Sequence, residues 1–347
     1  MATELGKTEA EKILFAVDES WLDRRREEIL EPDLPIIDPH HHLWDRGSRY
    51  LLDEVLRDIG SGHNVRATVY LQCDSMYRAD GDPLMAPLGE TEFVNGVAAM
   101  SASGVYGPTR VCAGVVGFAD LTLGDRIDPL LEAHVRASGR FRGVRHCSVW
   151  DADQTIKSTP MDFPKGLLLD ARFREGFARL QHYGLSFDSW IYHPQIPELA
   201  DVASAFPATP IILDHIGAPL GIGVYAGKRE EVFSTWRKNI FDLARRPNAH
   251  VKLGGMGMHL FGFDFEHRDM PASSEDLASA WKPYVESCIE AFGVERCMFE
   301  SNFPVDKRSC SYAVLWNAYK RLASGCSLSE KSALFFNTAK SVYRLEA

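Results

Sequence analysis

Short apolar segments of strand character alternate with amphipathic helical segments along most of this chain, and that alternation limits what it can fold into. The apolar segments are PIIDPH (35–40), RATVYLQC (66–73), RVCAGVVGFA (110–119), FRGVRHCSVW (141–150), LSFDSWIY (185–192), TPIILDHI (209–216), HVKLGG (250–255) and RCMFES (296–301). Helical candidates lie between them, among them 90–103, 129–138, 171–183, 231–246 and 274–293, with a last helix near 327–340. Strands joined through helices run parallel, because a crossover must carry the chain back to the start of the next strand. Eight such strands predict an α/β fold, the closed (β/α)8 or TIM barrel. An open doubly wound sheet is the competing arrangement. The phosphate-loop signatures that often accompany it are missing: "GVVGFAD" is not GxGxxG, and no GxxxxGK[ST] occurs.

Residues 8–30 read as a helix, with Ile13, Leu14, Val17, Trp21 and Ile29 roughly on one face. The expected organisation is an N-terminal helical extension (1–34) followed by one barrel (35–347). A hydrophobic content of 45% is enough for a sizeable core. The net charge of -10 argues against nucleic acid and anionic membranes as partners, since both repel an acidic protein. Seven scattered cysteines without a CxxC pattern read as free thiols of a reducing compartment. The polar start MATELGKTEAEK is not a signal peptide. No apolar run approaches the ~18 residues of a membrane span. A cytoplasmic enzyme acting on a small molecule is the expectation, with homo-oligomerisation left open.

Polar chemistry gathers at the C-terminal ends of the strands, where barrels of this kind build their active sites. The first strand ends in Asp38-Pro-His40-His41-His42, the fourth carries Arg145-His146, and the fifth runs into Tyr192-His193. The sixth ends in Asp214-His215, the seventh contains Lys252, and the eighth ends in Glu300-Ser301-Asn302. Side chains two apart on a strand share a face. His40 and His42 should therefore aim at the barrel centre, with Asp38 on the same side one step deeper and His41 pointing away. An HxH pair is a compact two-nitrogen chelate, and His215 could supply a third nitrogen. The same parity places Glu300 and Asn302 together.

The segments IDPHHHLWD, GVRH, ILDHIGAP, VKLGG and CMFESNFPVD resemble those of the amidohydrolase superfamily. They are most similar to its lactonase-like branch, whose members act on sugar lactones and on pyrone or muconolactone carboxylates. The likeness runs in order from about residue 35 to 345. It implies a (β/α)8 hydrolase with His40, His42 and His215 as the histidine cluster, holding one divalent metal, zinc by preference. Members of the branch are also known that work without a metal. The family usually has aspartate where this chain has Asn302, and tends to have glycine where it has Glu300. Asparagine cannot take a proton near pH 7. Three readings follow: Glu300 is the base; Asn302 orients water for a histidine base; or the hydrolytic chemistry has changed. Asn302→Asp is expected to be tolerated.

Arg145 and Lys252 are candidates for gripping a substrate carboxylate. Gln72, Tyr192 and His193 are further substrate-pocket candidates, whereas Trp44, Trp150 and Trp190 read as packing. The insertions 75–89, 151–170, 217–231 and 258–274 should form a lid over the site. The resulting expectation is hydrolysis of a lactone or related cyclic ester, carboxylate-bearing or partly apolar. A metal-dependent decarboxylase of the same superfamily and a small-ligand-binding barrel without turnover are the alternatives.

Overall fold

The computed structural model describes residues 16–159 and 161–346. All eight expected strands are present in one parallel sheet, ordered as in the chain. They are β1 (Pro35–His41), β2 (Asn64–Leu71), β3 (Arg110–Gly117), β4 (Phe141–Arg145), β5 (Ser186–Ser189), β6 (Ile211–Leu213), β7 (Ala249–Leu253) and β8 (Cys297–Phe299). One long helix follows each strand: α1 (Leu52–Ile59), α2 (Leu88–Ala102), α3 (Asp128–Ala137), α4 (Ala171–His182), α5 (Ile196–Ala205), α6 (Arg229–Leu243), α7 (Ser274–Phe292) and α8 (Tyr312–Leu322). The barrel closes just beyond β8. His42 N–H donates to the Phe303 carbonyl at 2.8 Å, and Asn302 N–H donates to the His40 carbonyl at 2.9 Å. Closure thus ties the two chain segments richest in polar chemistry to each other.

The barrel interior is packed in layers, as the fold requires. At its lower end Ile37, Val69, Leu71, Val116, Ile212 and Met298 form an apolar cluster. The chain after α8 returns beneath them, and Val342, Tyr343 and Leu345 plug that end. Among the described residues no helix is long and apolar enough to cross a membrane.

Two expectations are corrected. Of the helix expected over 8–30, residues 8–15 lie outside the described residues, and in the rest only Glu19–Leu22 is helical. The following segment is held as a strap by tertiary partners. Leu30 N–H donates to Asn317 Oδ1 at 2.9 Å, and Lys320 Nζ donates to the carbonyls of Leu30 and Glu31 at 2.7 and 2.9 Å. Backbone groups satisfied this way gain nothing from a helix. The second correction is Asp38, which does not share the histidine face. Its Oδ1 accepts from Ser301 N–H at 2.9 Å and its Oδ2 from the Tyr312 hydroxyl of α8 at 3.1 Å. The register of β1 against β2 slips between Asp38 and His41. The shift falls in the stretch that holds Pro39, which has no N–H for the ladder. Above the shift the expected parity holds. His41 Nε2 meets Thr68 Oγ1 at 2.8 Å, away from the other two imidazoles.

Candidate active site

A charged column lies directly beneath the histidines. Lys252 Nζ of β7 donates to Asp188 Oδ1 of β5 at 2.7 Å and to Asp214 Oδ1, just past β6, at 2.9 Å. It also reaches His40 Nδ1 at 3.2 Å. The Tyr343 hydroxyl of the plug donates to Asp188 Oδ1 at 2.6 Å, and Arg145 Nη1 stands 3.7 Å from Asp214 Oδ2. Lys252, Asp188 and Asp214 are all fully buried. Burial works against the Lys252 charge, but Asp188 and Asp214 outweigh it and raise its pKa, so the ammonium persists. All three of its donors therefore have protein partners. The expectation that Lys252 grips a substrate carboxylate is corrected: it sits inside the barrel rather than at the rim.

The imidazoles form the next layer. His42 Nδ1 faces the Leu71 carbonyl at 2.8 Å, which makes that nitrogen the donor and leaves Nε2 bare. His40 Nε2 and His42 Nε2 are 3.3 Å apart. Burial, reinforced by Lys252 at His40 and by Arg145 at His42, holds both rings well below the usual histidine range, so they are neutral at pH 7. His215 follows β6 in a left-handed conformation, with φ of 54°. Its Nδ1 stands 2.7 Å from Glu300 Oε1, and its backbone N–H donates to the same oxygen at 3.0 Å. Glu300 Oε2 lies 2.7 Å from His40 Nδ1. One carboxylate thus stands behind two imidazoles. The glycines of VKLGG make room for this: a Cβ at Gly255 would fall 2.5 Å from the His215 ring, and one at Gly254 would collide with Glu300.

Glu300 is fully buried, and both its oxygens face histidines. Burial pushes its carboxyl up, but His215 and His40 outweigh that and draw it down to about 2. A carboxylate so acidic and so placed is a poor general base at neutral pH. Of the three readings from the sequence, the geometry favours the second, in which Asn302 orients water for a histidine base. Asn302 Nδ2 donates to Asp306 Oδ1 at 2.9 Å, and Asp306 Oδ2 accepts from Gly257 N–H at 2.9 Å. Burial pushes the Asp306 carboxyl up to about 7, against the pull of that Gly257 N–H.

Above these residues opens a cavity of about 560 Å³, the size of a small-molecule site. His42, His215, Asn302, Arg145 and Gln72 form its polar floor. Arg145 Nε donates to Gln72 Oε1 at 3.2 Å, and Nη1 lies 3.4 Å from His40 Nε2. Trp44, Tyr77 and Trp190 form its aromatic wall. Trp44 stacks on His42 with centroids 5.5 Å apart, and Trp190 meets the His215 ring edge-on at 4.8 Å. Reading these tryptophans as packing alone was therefore too narrow. Met161 and Met258 come from the expected lid segments 151–170 and 258–274. Insertion 217–231 instead braces the lid, through the Tyr225 hydroxyl donating to Asp151 Oδ2 at 2.7 Å. Tyr192 and His193 do not line the cavity. The Tyr192 hydroxyl meets Ser158 Oγ at 2.9 Å beside it, and His193 Nδ1 accepts from Leu220 N–H at 3.2 Å. Sequence reasoning passed over Asp188, and it placed Asp306 just beyond the end of the eighth strand without giving it a role. Asp306 lies four residues beyond Asn302 in the same motif, the one signal that could have marked it.

Among the described residues, the group of three with ligand atoms mutually within 4.8 Å is His40, His215 and Glu300. This differs from the expected set of His40, His42 and His215, since Glu300 enters and His42 joins only through His40. The donor types suit a divalent cation. So does the buried Glu300 Oε2, which lies near His40 Nδ1 but off the line of a hydrogen bond. The spacing of the His40 and His42 Nε2 atoms is also that of two nitrogens on one tetrahedral zinc, about 3.3 Å.

The profile of the amidohydrolase family matches residues 37–345. The chain belongs to that family. This amidohydrolase is 34% identical to the uncharacterised protein y4mH of Sinorhizobium fredii, covering 90% of this chain and 99% of the other. It is 29% identical to an L-fucono-1,5-lactonase of Burkholderia multivorans, over 89% and 96% of the two chains. A zinc-bound amidohydrolase structure from Burkholderia multivorans superposes with a TM-score of 0.68 at 25% identity, covering 89% of this chain and 99% of that one.

Proposed function

We propose that this amidohydrolase opens a small lactone by attack of water. The observation that carries the reading is Glu300 held 2.7 Å behind Nδ1 of His215, whose ring lines the floor of an open cavity. A carboxylate behind an imidazole fixes the tautomer and favours the imidazolium, as in carboxylate–histidine pairs generally. His215 then turns Nε2 toward the cavity it lines, as a proton acceptor. Asn302 Oδ1, opposite the amide nitrogen that Asp306 holds, receives a hydrogen bond from the same water. Arg145 offers positive charge to the carbonyl oxygen as it becomes an oxyanion. The proton on His215 passes to the ring oxygen as the ester bond breaks, releasing a hydroxy acid. The lactonase relative supports the reaction class. The aromatic wall suits the apolar face of a ring.

The metal fits the same floor. Held by the Nε2 atoms of His40 and His42, which stand 3.3 Å apart, an ion such as the zinc of the Burkholderia structure would polarise the lactone carbonyl. Protein purified without added metal should carry up to about one divalent ion per chain, and His42→Ala should lower that occupancy. Full activity at trace metal content would remove the ion from the reading and leave the histidines in place. The reaction itself is tested with five- and six-membered sugar-acid lactones and a pH indicator. Acid release with either ring size supports it. Rates no higher than uncatalysed hydrolysis with both would overturn it.

A further inference from the structure

The geometry points to Asp306 as a positioning residue that fixes the Asn302 amide with its oxygen toward the cavity, so that Asn302 presents to the water the acceptor that a carboxylate at position 302 would present. This rests on the water-activating floor proposed above.

Gly257 anchors the arrangement. Its backbone N–H cannot turn, and it donates to Asp306 Oδ2 at 2.9 Å. Asp306 therefore presents an acceptor, Oδ1, to its other neighbour. Asn302 answers with Nδ2 at 2.9 Å. An amide with its nitrogen so engaged shows its oxygen on the opposite side, where Asn302 lines the cavity. The backbone supports the arrangement, because Asp306 N–H donates to the Asn302 carbonyl at 3.2 Å and Asn302 holds a left-handed φ of 54°. Both side chains are buried, so bulk water does not compete for the contact. Without Asp306 the amide could rotate by half a turn and offer a donor to the water. A donor there competes with His215 for the lone pair that must attack the carbonyl.

The chemistry of Asp306→Asn follows from the same contacts. The new amide must put its oxygen toward Gly257 N–H and its nitrogen toward Asn302. Asn302 then accepts through Oδ1 and turns Nδ2 into the cavity, which reverses the polarity seen by the water. Adding Asn302→Asp to that change restores an acceptor, since the amide nitrogen introduced at position 306 donates to one oxygen of the new carboxylate and the other faces the cavity. Asn302→Asp alone places two buried carboxyl groups at the present 2.9 Å separation, where they must share a proton. It is therefore not the harmless change that the sequence suggests.

The test compares wild type, Asp306→Asn and the double exchange Asn302→Asp/Asp306→Asn. Asp306→Asn is expected to lower kcat about 10²-fold, the cost of a misplaced reactant, with KM nearly unchanged. The double exchange is expected to recover most of that loss. A kcat per folded molecule that stays at the wild-type level in Asp306→Asn, or a double exchange no better than the single variant, would overturn the inference. An independent readout separates this from failure of the lactonase reading. In protein labelled with 15N-asparagine, the Asn302 side-chain NH2, assigned by its loss in Asn302→Ala, should be protected from solvent exchange. Asp306→Asn should abolish that protection. Equal protection in both proteins would overturn the pairing, whether or not any lactone is turned over.

Discussion

The imidazole layer at the mouth of the barrel and the charged column beneath it are both buried and both polar, yet they are built to opposite ends. In the column, Lys252 has its three donors matched by Asp188, Asp214 and His40, and none of Lys252, Asp188 and Asp214 lines the cavity, although one oxygen of each aspartate has no hydrogen-bond partner. In the layer above, each of His42, His215 and Asn302 has one polar atom tied down and lines the cavity. The difference shows how a catalytic group is told from a structural one of the same type. What matters is whether its hydrogen-bonding capacity is used up by the fold. The column also reaches the layer, because Lys252 and Glu300 hold His40 from below and behind.

The largest expected effect is on the upper layer. Glu300→Gln removes the charge behind His215 and leaves the side chain nearly the same size. Turnover should fall about 10³–10⁴-fold, the scale seen when the carboxylate of a carboxylate–histidine pair becomes an amide. Rates on a lactone substrate, normalised to folded protein, measure it. A loss of stability with turnover intact would break the comparison by moving Glu300 into the structural class. Next comes Lys252→Met in the column. It leaves two buried aspartates without their cation, and unfolding free energy in urea should drop by about 3–5 kcal/mol. If stability barely changes while kcat collapses, the column is part of the chemistry and the division fails.

The smallest effect sharpens the comparison through pH. Asp306 is held near 7 by burial. With Gly257 N–H fixed on Oδ2, a proton must enter on Oδ1 and turn that atom into a donor toward Asn302. The acceptor that Asn302 shows to the cavity is then present above about pH 7 and lost below it. The charged and titratable groups around Asp306 are His215, Glu300, the Cys310 thiol and the Tyr319 phenol. Cys310 and Tyr319 are pushed well above their usual ranges by burial, and Glu300 is drawn down to about 2, so none of these three titrates near 7. The acid limb of a kcat–pH profile should therefore be shallower in Asp306→Asn than in the wild type. An unchanged limb would show that Asp306 does not set it.

The barrel was legible because strand parity and strand–helix alternation are local properties of the chain. The convergence of His40 and His42 was legible for the same reason. Three things were not. Asp38 turned outward because a register shift between Asp38 and His41 breaks the two-residue period, and such a shift has no periodic signal. Lys252 was read as a substrate ligand because a sequence gives the order of residues along a strand but not their depth in a closed barrel. Glu300 was read as a base because its pKa depends on His215 and His40, far away in the chain, which sit 2.7 Å from it only after closure. Asp306 was visible in the motif, but its bond to Gly257 is a contact between two loops that no spacing rule predicts.

The plug has a consequence for the order in which the protein is made. The hydroxyl that meets Asp188 belongs to Tyr343, which the ribosome adds after every strand of the barrel. The chain segment supplying it is also the one that closes the apolar lower end of the barrel. While the residues around Tyr343 are still inside the exit tunnel, Lys252 faces Asp188 and Asp214 without the phenol that shares the first of them. The first strand, carrying His40 and leading into His42, therefore waits through the synthesis of the whole barrel for its foundation.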